Sequence, residues 1–243
     1  MARASGLSLL AQDELNPMET TTLGTGELIS KALDRGVSRI LVGIGGSATN
    51  DGGVGMATAL GARFLDAKGR DIQPIGKALS SLARIDLSQM DSRLNQVHVD
   101  VVCDVDNPLL GPTGASRVYG PQKGAGPDQV EDLEAGLANL ARLISNELGQ
   151  EVASIPGAGA AGGLGAGLLA FLGARLRPGV EVMLELVDME SRLQRADLVI
   201  TAEGQVDRQT FFGKGPFGIA RKAGSMGVPC VMLAGSIHPD LPD

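Results

Sequence analysis

The chain has 243 residues, of which 43% are hydrophobic and 20% charged, enough apolar material for one large or two small domains without disulfides or structural metal. Its 21 Lys and Arg residues against 28 Asp and Glu residues give a formal net charge of -7. With five Phe, one Tyr and no Trp, this balance argues against a protein that binds nucleic acid through phosphate contacts or base stacking.

In chain order, apolar runs rich in Val and Ile alternate with segments of helical period, which predicts an α/β fold. The predicted strands are residues 39–44, 97–103, 197–201 and 229–233. The predicted helices are residues 26–36, 54–61, 127–148, 180–193 and 213–226. The longest of them has apolar residues at steps of three and four, with Pro127 in its first turn and Gly149 after its end.

Cysteine, histidine and hydropathy limit the chemistry further. Cys103 and Cys230 lie in apolar runs far apart in sequence, which argues against a disulfide framework or a zinc site. His98 and His238 are also far apart, and no Ser-His-Asp triad can be identified in the sequence. Catalysis would therefore depend on carboxylates, amines and backbone groups. The apolar stretch 164–172 is too short to span a bilayer, and no secretory signal opens the chain, so we expect a cytoplasmic protein.

The first glycine-rich segment, residues 43–53, lies between a predicted strand and a predicted helix. Its glycines, including Gly45 and Gly46, let the backbone approach a ligand, and a helix N-terminus offers N–H groups to an anion. The segment also carries polar side chains that could bind a ligand: Ser47, Thr49, Asn50 and Asp51. The alternative is a turn in which Asn50 and Asp51 only cap the helix.

The second segment, residues 103–124, begins where a predicted strand ends. Asp104 and Asp106 follow the strand, and Arg117 and Lys123 lie further along the loop. Phosphoryl transfer needs carboxylates for Mg²⁺ and cations where negative charge develops. Alternatively, each carboxylate only accepts hydrogen bonds within its own turn.

Two more glycine-rich segments follow. Residues 156–167 contain G-x-G-x-x-G from Gly157 to Gly162, a weak dinucleotide fingerprint because the preceding residues make a poor strand; tight helix packing explains it equally well. If this motif did bind a dinucleotide, the protein would be an NAD-dependent oxidoreductase, which is an alternative function. Residues 201–216 carry Glu203, Asp207 and Lys214 after a strand, but the chain has no Walker A motif.

Five segments carry recognisable motifs in a fixed order. They read GGSATNDGG at 45–53, CDV-x-NPL-x-G at 103–111, GPQKGA at 120–125, PGAGAAGG at 156–163, and EG-x-x-D at 203–207 with Gly213 and Lys214. Together they resemble the bacterial type I glycerate kinases. The resemblance spans essentially the whole chain. Two residues depart from the family pattern: Ala202 replaces a usual Gly, and Gln205 replaces a common basic residue.

The resemblance implies a two-domain α/β enzyme with a large domain inserted into a discontinuous Rossmann-like domain. Residues 1–194 would form most of the inserted domain, and residues 195–243 would begin the returning half. Family members have further segments before and after this region, so we expect a fragment, which could be inactive alone. The implied reaction is phosphorylation of D-glycerate by ATP with Mg²⁺, with 2-phosphoglycerate favoured over 3-phosphoglycerate, and the implied partners are small molecules only. The sequence does not predict an oligomeric state.

The predicted site has three kinds of residue. Lys123, Asp207 and Asp51 are the expected catalytic residues, and Asp104 and Glu203 the expected metal ligands. Substrate and phosphate binding is assigned to Gly45, Gly46, Ser47, Thr49, Asn50, Arg117 and Lys214. The alternative function is a binding module of the same fold that recognises a phosphorylated metabolite without catalysis.

Overall fold

The computed structural model describes residues 1–206 and 215–238 as a mixed α/β structure. The helices are α1 (Ala2–Ser5), α2 (Leu23–Leu33), α3 (Val54–Ala59), α4 (Ala115–Tyr119), α5 (Pro127–Leu148), α6 (Leu164–Leu172), α7 (Gly179–Leu186), α8 (Met189–Leu193) and α9 (Gly215–Ser225). The strands are β1 (Arg39–Gly43), β2 (Arg63–Asp66), β3 (Leu82–Asp86), β4 (His98–Val102), β5 (Arg175–Arg177), β6 (Val199–Val206) and β7 (Cys230–Ile237).

The four predicted strands are confirmed as β1, β4, β6 and β7, although the last two extend beyond the predicted ends. Helix α5 has the predicted bounds, with Gly149 in the left-handed region at φ 67° after its end. The helix predicted over residues 180–193 is wrong as a single element. It divides into α7 and α8 at Asp188, whose φ of 47° is incompatible with a continuous right-handed helix.

Strand β1 runs parallel to β4, with Leu41 opposite Asp100, in a three-stranded sheet of order β1–β4–β5. Because parallel strands end at the same edge of a sheet, the segments that follow β1 and β4 meet there. Strands β2 and β3 form a separate antiparallel pair that the sequence analysis did not predict.

The core beneath this edge is built largely from α5 and α6. The apolar stripe of α5 is fully buried at Leu133, Leu137, Leu140 and Ile144. Leu164 and Leu168 of α6 are also fully buried. The segments that follow β1 and β4 therefore lie over a packed apolar interior, which holds their backbone in place.

The chain divides into two compact units, Met1–Leu176 and Arg177–Asp243. In the second unit, β6 and β7 form a parallel pair, and α9 packs against α7 so closely that a Cβ at Gly218 would come within 2.3 Å of Val180 Cγ2. This packing groups α7 and α8 with the later residues. The domain boundary expected at 194/195 stays a prediction. Within the described part of the chain, no helix is long and apolar enough to cross a membrane.

Candidate active site

A cleft of about 390 Å³ lies at the carboxyl ends of β1 and β4 in the first compact unit. Its wall is formed by residues 43–47, 102–105 and 160–161, together with Leu7, Tyr119 and Gln122. The predicted residues Gly45, Gly46, Ser47 and Asp104 all line it. The structure thus brings together the first two glycine-rich segments at one binding-sized cavity.

A second cavity of about 480 Å³ lies in the other unit, among α7, α8 and α9. Its charged residues already pair with one another: Arg221 Nη2 lies 3.4 Å from Glu181 Oε1, and Lys222 Nζ lies 2.7 Å from Glu190 Oε2. None of the predicted site residues that the structure describes lines this cavity. We therefore assign the candidate site to the cleft at β1 and β4.

The outer part of the glycine loop presents backbone donors. Gly45 and Gly46 are exposed on the cleft wall, and Gly46 has a φ of 71°, a left-handed conformation that glycine adopts without strain. The Gly46 carbonyl accepts from the Leu7 N–H at 3.0 Å. Among residues 1–206 and 215–238, no acceptor is present for the N–H groups of Gly45 and Gly46. They can therefore donate to an anion in the cleft.

The inner part of the loop is buried. Asp51 is fully buried and accepts from the Thr22 N–H at 2.7 Å, the Thr22 hydroxyl at 2.8 Å, the Gly53 N–H at 3.1 Å and the Gly55 N–H at 3.2 Å. Burial raises the pKa of Asp51, while these hydrogen bonds oppose the rise. The carboxylate thus caps the N-terminus of α3 and joins it to the start of α2. Its contacts are structural, and its catalytic role stays a prediction.

Lys123 is almost completely buried behind the glycine loop, with 1% of its surface exposed. Its Nζ donates to the Thr49 carbonyl at 2.6 Å. Burial lowers the Lys123 pKa to about 7, although the negative charge of Asp51 opposes the shift. Lys123 does not line the cleft, so the contact that the structure shows is one that holds the loop, and its catalytic role stays a prediction.

Thr49 and Asn50 are fully buried as well. The Asn50 amide Nδ2 lies 3.1 Å from Ser116 Oγ. Thr49 Oγ1 and Asn50 Oδ1 have no hydrogen-bond partner within the described residues. Neither side chain lines the cleft, so their assignment to substrate binding stays a prediction.

The third glycine-rich segment packs against the buried part of this loop. Gly162 has a φ of 66°, its carbonyl accepts from the Gly52 N–H at 3.0 Å, and a Cβ at this position would lie 2.0 Å from the Thr49 carbonyl oxygen. A Cβ at Gly167 would lie 2.4 Å from the Gly52 carbonyl oxygen. Tight backbone packing, one of the two explanations offered for this segment, is confirmed.

The predicted charged residues have different surroundings. Arg117 forms two hydrogen bonds with Glu131 of α5, at 2.5 and 2.8 Å, and does not line the cleft. Asp104 is exposed on the cleft wall. Glu203 is half-buried in β6 and belongs to the second compact unit. Asp207 and Lys214 lie outside the described residues.

The donor set can be tested for its fit to Mg²⁺. Across residues 1–206 and 215–238, no three His, Cys, Asp or Glu side chains come together as a protein-only metal site. Mg²⁺ often binds proteins through one or two carboxylates and completes its shell with phosphate oxygens and water. Asp104 on the wall of a cleft with free N–H donors fits that kind of site.

Tyr119, Gln122 and Leu7 also line the cleft but had no predicted role. Tyr119 is the only tyrosine of the chain and lies within the second motif region, and these two facts could have drawn attention to it. Leu7 is distant in sequence from every glycine-rich segment. No sequence signal could have identified its place in the cleft.

Comparisons with known proteins match nearly the whole chain to glycerate kinases. A model described as the glycerate kinase family matches residues 1–243. Glycerate kinases of Halalkalibacterium halodurans and Bacillus subtilis are 54% and 55% identical over 98% and 99% of this chain. Glycerate 2-kinase of Escherichia coli is 47% identical over 99% of it. The chain spans 62% of the first relative and 63% of the other two.

A solved structure has a similar fold. The crystal structure of a Salmonella typhimurium LT2 protein described as glycerate kinase 2 superposes with a TM-score of 0.89 at 48% identity. The match covers 98% of this chain and 66% of that one.

Proposed function

This chain belongs to the glycerate kinase family, and on that premise we propose that the protein transfers the γ-phosphoryl group of ATP to a hydroxyl of D-glycerate. We favour 2-phosphoglycerate over 3-phosphoglycerate as the product. The name of the E. coli relative, glycerate 2-kinase, supports that choice. A cytoplasmic protein with small-molecule partners is part of the same proposal.

The observation that carries the proposal is the shared cleft of the glycine loop and Asp104. Phosphoryl transfer depends on positioning and on stabilising negative charge, with little covalent chemistry from the protein. The N–H groups of Gly45 and Gly46 offer two donors to an oxyanion, either the carboxylate of glycerate or a phosphate. Asp104, on the segment that follows β4, would supply negative charge for a divalent cation in the same cleft.

The remaining assignments follow from this arrangement and from the family motifs. Ser47 lines the cleft and adds a hydroxyl to the oxyanion donors. Mg²⁺, when bound at Asp104, neutralises phosphate charge. We assign Lys123 and Asp51 to holding the glycine loop. Lys123 donates to the Thr49 carbonyl within the loop, and Asp51, itself a loop residue, accepts from the Thr22 and Gly55 N–H groups outside it. Asp207 is our choice for the carboxylate that accepts the glycerate hydroxyl proton. The family motifs support Glu203 as a second metal ligand and Lys214 and Arg117 as phosphate-binding cations.

A coupled assay of ADP release tests the proposal on the complete gene product that carries this chain. We expect ADP formation that requires both D-glycerate and Mg²⁺ and that yields phosphoglycerate, whose isomer is identified by chromatography. Binding of D-glycerate or phosphoglycerate without ADP formation would support the non-catalytic binding module instead. ADP release that does not depend on glycerate would contradict the assignment of the substrate.

Gly45→Ala tests the role of the exposed loop. A Cβ at Gly45 meets no atom within 4 Å, and the residue has no positive φ, so the free energy of unfolding should change by less than about 1 kcal/mol. The added methyl group would crowd the N–H donors in the cleft, and we expect kcat/KM for glycerate to fall about 10-fold. The measurements are urea denaturation and steady-state kinetics.

Gly126→Ala is the matched control. It lies before α5, outside the cleft, and its added Cβ would be 3.8 Å from Gln129 Oε1, an ordinary contact. It should leave kcat/KM unchanged. Equal kinetics for the two variants would contradict the binding role of the loop.

A further inference from the structure

Two side chains outside every assignment above form a hydrogen-bonded chain beside the cleft. The Tyr119 hydroxyl lies 2.6 Å from Asn107 Oδ1, and Asn107 Nδ2 donates to the Thr113 carbonyl at 2.8 Å. A carbonyl can only accept, so it fixes the amide with Nδ2 towards Thr113 and Oδ1 towards Tyr119. The phenol must therefore be the donor, and its proton is committed to Asn107.

Asn107 is the point where the loop after β4 becomes fixed. The Asn107 carbonyl accepts from the Gly159 N–H at 3.0 Å, and two residues later the buried Leu109 donates its N–H to the Ala153 carbonyl at 3.0 Å. Residues 104–106, which precede this anchor, are exposed. Asp104 thus lies on a short span between the end of β4 and Asn107.

Tyr119 connects this anchor to a different element. It is the last residue of α4 and lines the cleft, whereas Asn107 does not. Its bond to Asn107 crosses twelve residues of sequence, so it ties the span after β4 to the wall that α4 contributes. Misplacement of a ligand by about 1 Å can cost on the order of 100-fold in rate. A bond that fixes this span should therefore affect the rate of the reaction.

We propose that Tyr119 and Asn107 are a pair of positioning residues that hold residues 104–106 in place so that Asp104 faces the cleft. The proposal rests on the proposed function, in which Asp104 binds the divalent cation. The pair does not touch the reacting atoms. Because the phenol is a donor to Asn107, Tyr119 also does not act as a general base.

The kinetic test compares Tyr119→Phe, Asn107→Ala and Asn107→Asp. Tyr119→Phe and Asn107→Ala both break the bond, and each should lower kcat/KM about 5- to 10-fold and raise the Mg²⁺ concentration for half-maximal rate several-fold. Asn107→Asp keeps an acceptor for Tyr119 but loses the donor to the Thr113 carbonyl, so its Mg²⁺ response should lie between that of the wild type and that of Asn107→Ala. The double variant Tyr119→Phe/Asn107→Ala should be no worse than the poorer single variant.

Val118→Ala is the control on the same helix. Val118 is 41% exposed and does not line the cleft, so this variant should keep the Mg²⁺ response of the wild type. If Tyr119→Phe lowers kcat but leaves the Mg²⁺ response unchanged, or if the effects of the two single variants multiply in the double variant, the pair does not position Asp104.

A second measurement needs no activity. The 243-residue chain contains Tyr119 as its one tyrosine and has no tryptophan, so in a preparation of this chain the tyrosine emission and the phenol titration report on this one hydroxyl. In Asn107→Ala, tyrosine emission should change, and the amides of residues 104–107 should exchange hydrogen faster than in the wild type. Unchanged emission and exchange would overturn the proposal. Altered exchange without any glycerate-dependent ADP release in the wild type would instead refute the proposed function alone.

Discussion

Replacing Lys123 with Met is expected to lower kcat/KM for glycerate about 100-fold, because the variant loses the donor that holds the Thr49 carbonyl at 2.6 Å. The thioether side chain keeps most of the buried volume, which separates the lost hydrogen bond from an emptied cavity. The measurement is the coupled ADP assay with both substrates varied. Near-normal turnover and KM would contradict both the positioning role argued from the structure and the catalytic role expected from the motifs.

Lys31→Met provides the matched control for the loss of a lysine. Lys31 lies on α2 with 79% of its side chain exposed, and its ion pair with Asp34 is on the surface. It should retain the kinetics of the wild type, since exposed ion pairs contribute little to stability.

The same lysine predicts how stability depends on pH. Burial lowers the Lys123 pKa to about 7 from its ordinary value of 10.5, so between these values the unfolded chain holds a proton that the folded chain has released. The free energy of unfolding should therefore rise with pH in this window, by at most about 1.4 kcal/mol per pH unit. Below about pH 7 both states are protonated and the cost of burying the charge is fully present.

Urea denaturation of the wild type and Lys123→Met at pH 7 and pH 9 checks this sign. The wild type should gain stability relative to the variant as the pH rises. A difference that stays constant or shrinks would show that the buried amine keeps its proton through this range.

The second large effect is expected at Gly162. Alanine there would force a left-handed φ on a residue with a Cβ and place that Cβ 2.0 Å from the Thr49 carbonyl oxygen. The strain alone costs about 1–2 kcal/mol, and the backbone of Thr49 must also move. We expect Gly162→Ala to lose more than about 4 kcal/mol of unfolding free energy, as measured by urea denaturation.

Gly173→Ala isolates the conformational part of this effect. Gly173 has a φ of 60°, close to that of Gly162, but a Cβ there meets nothing within 4 Å. Its loss should be about 1–2 kcal/mol. Equal losses for the two variants would mean that the contact with Thr49 contributes nothing.

Periodicity and glycine placement predict the frame of this protein well. Helix α5 is predicted by its apolar stripe, and β1 and β4 are predicted by their apolar runs. Since the carboxyl ends of neighbouring parallel strands lie at one sheet edge, the sequence also indicates that Gly45 and Asp104 lie close together. The antiparallel pair β2–β3 could not be predicted from the sequence. Residues 63–66 are too few, and are flanked by charge at both ends, to show an alternating pattern.

The surroundings of the charged side chains were not predictable. Arg117 pairs with Glu131, fourteen residues away, because of the turn between α4 and α5, and no local spacing rule encodes that turn. Lys123 follows Pro121 in a polar loop, a context that predicts exposure, yet the chain folds it inward onto Thr49. Long-range packing overrides local polarity at both positions.

The contact between Gly162 and Thr49 has a consequence for changing substrate range by design. The inner side of the glycine loop has no room for any larger group, so enlarging or reshaping the cleft from that side would displace the backbone itself. Gly45, where an added carbon meets open space, offers the opposite situation. Libraries aimed at other hydroxy acids should therefore vary the exposed residues that line the cleft. They should leave the buried contact between Gly162 and the inner part of the glycine loop unchanged.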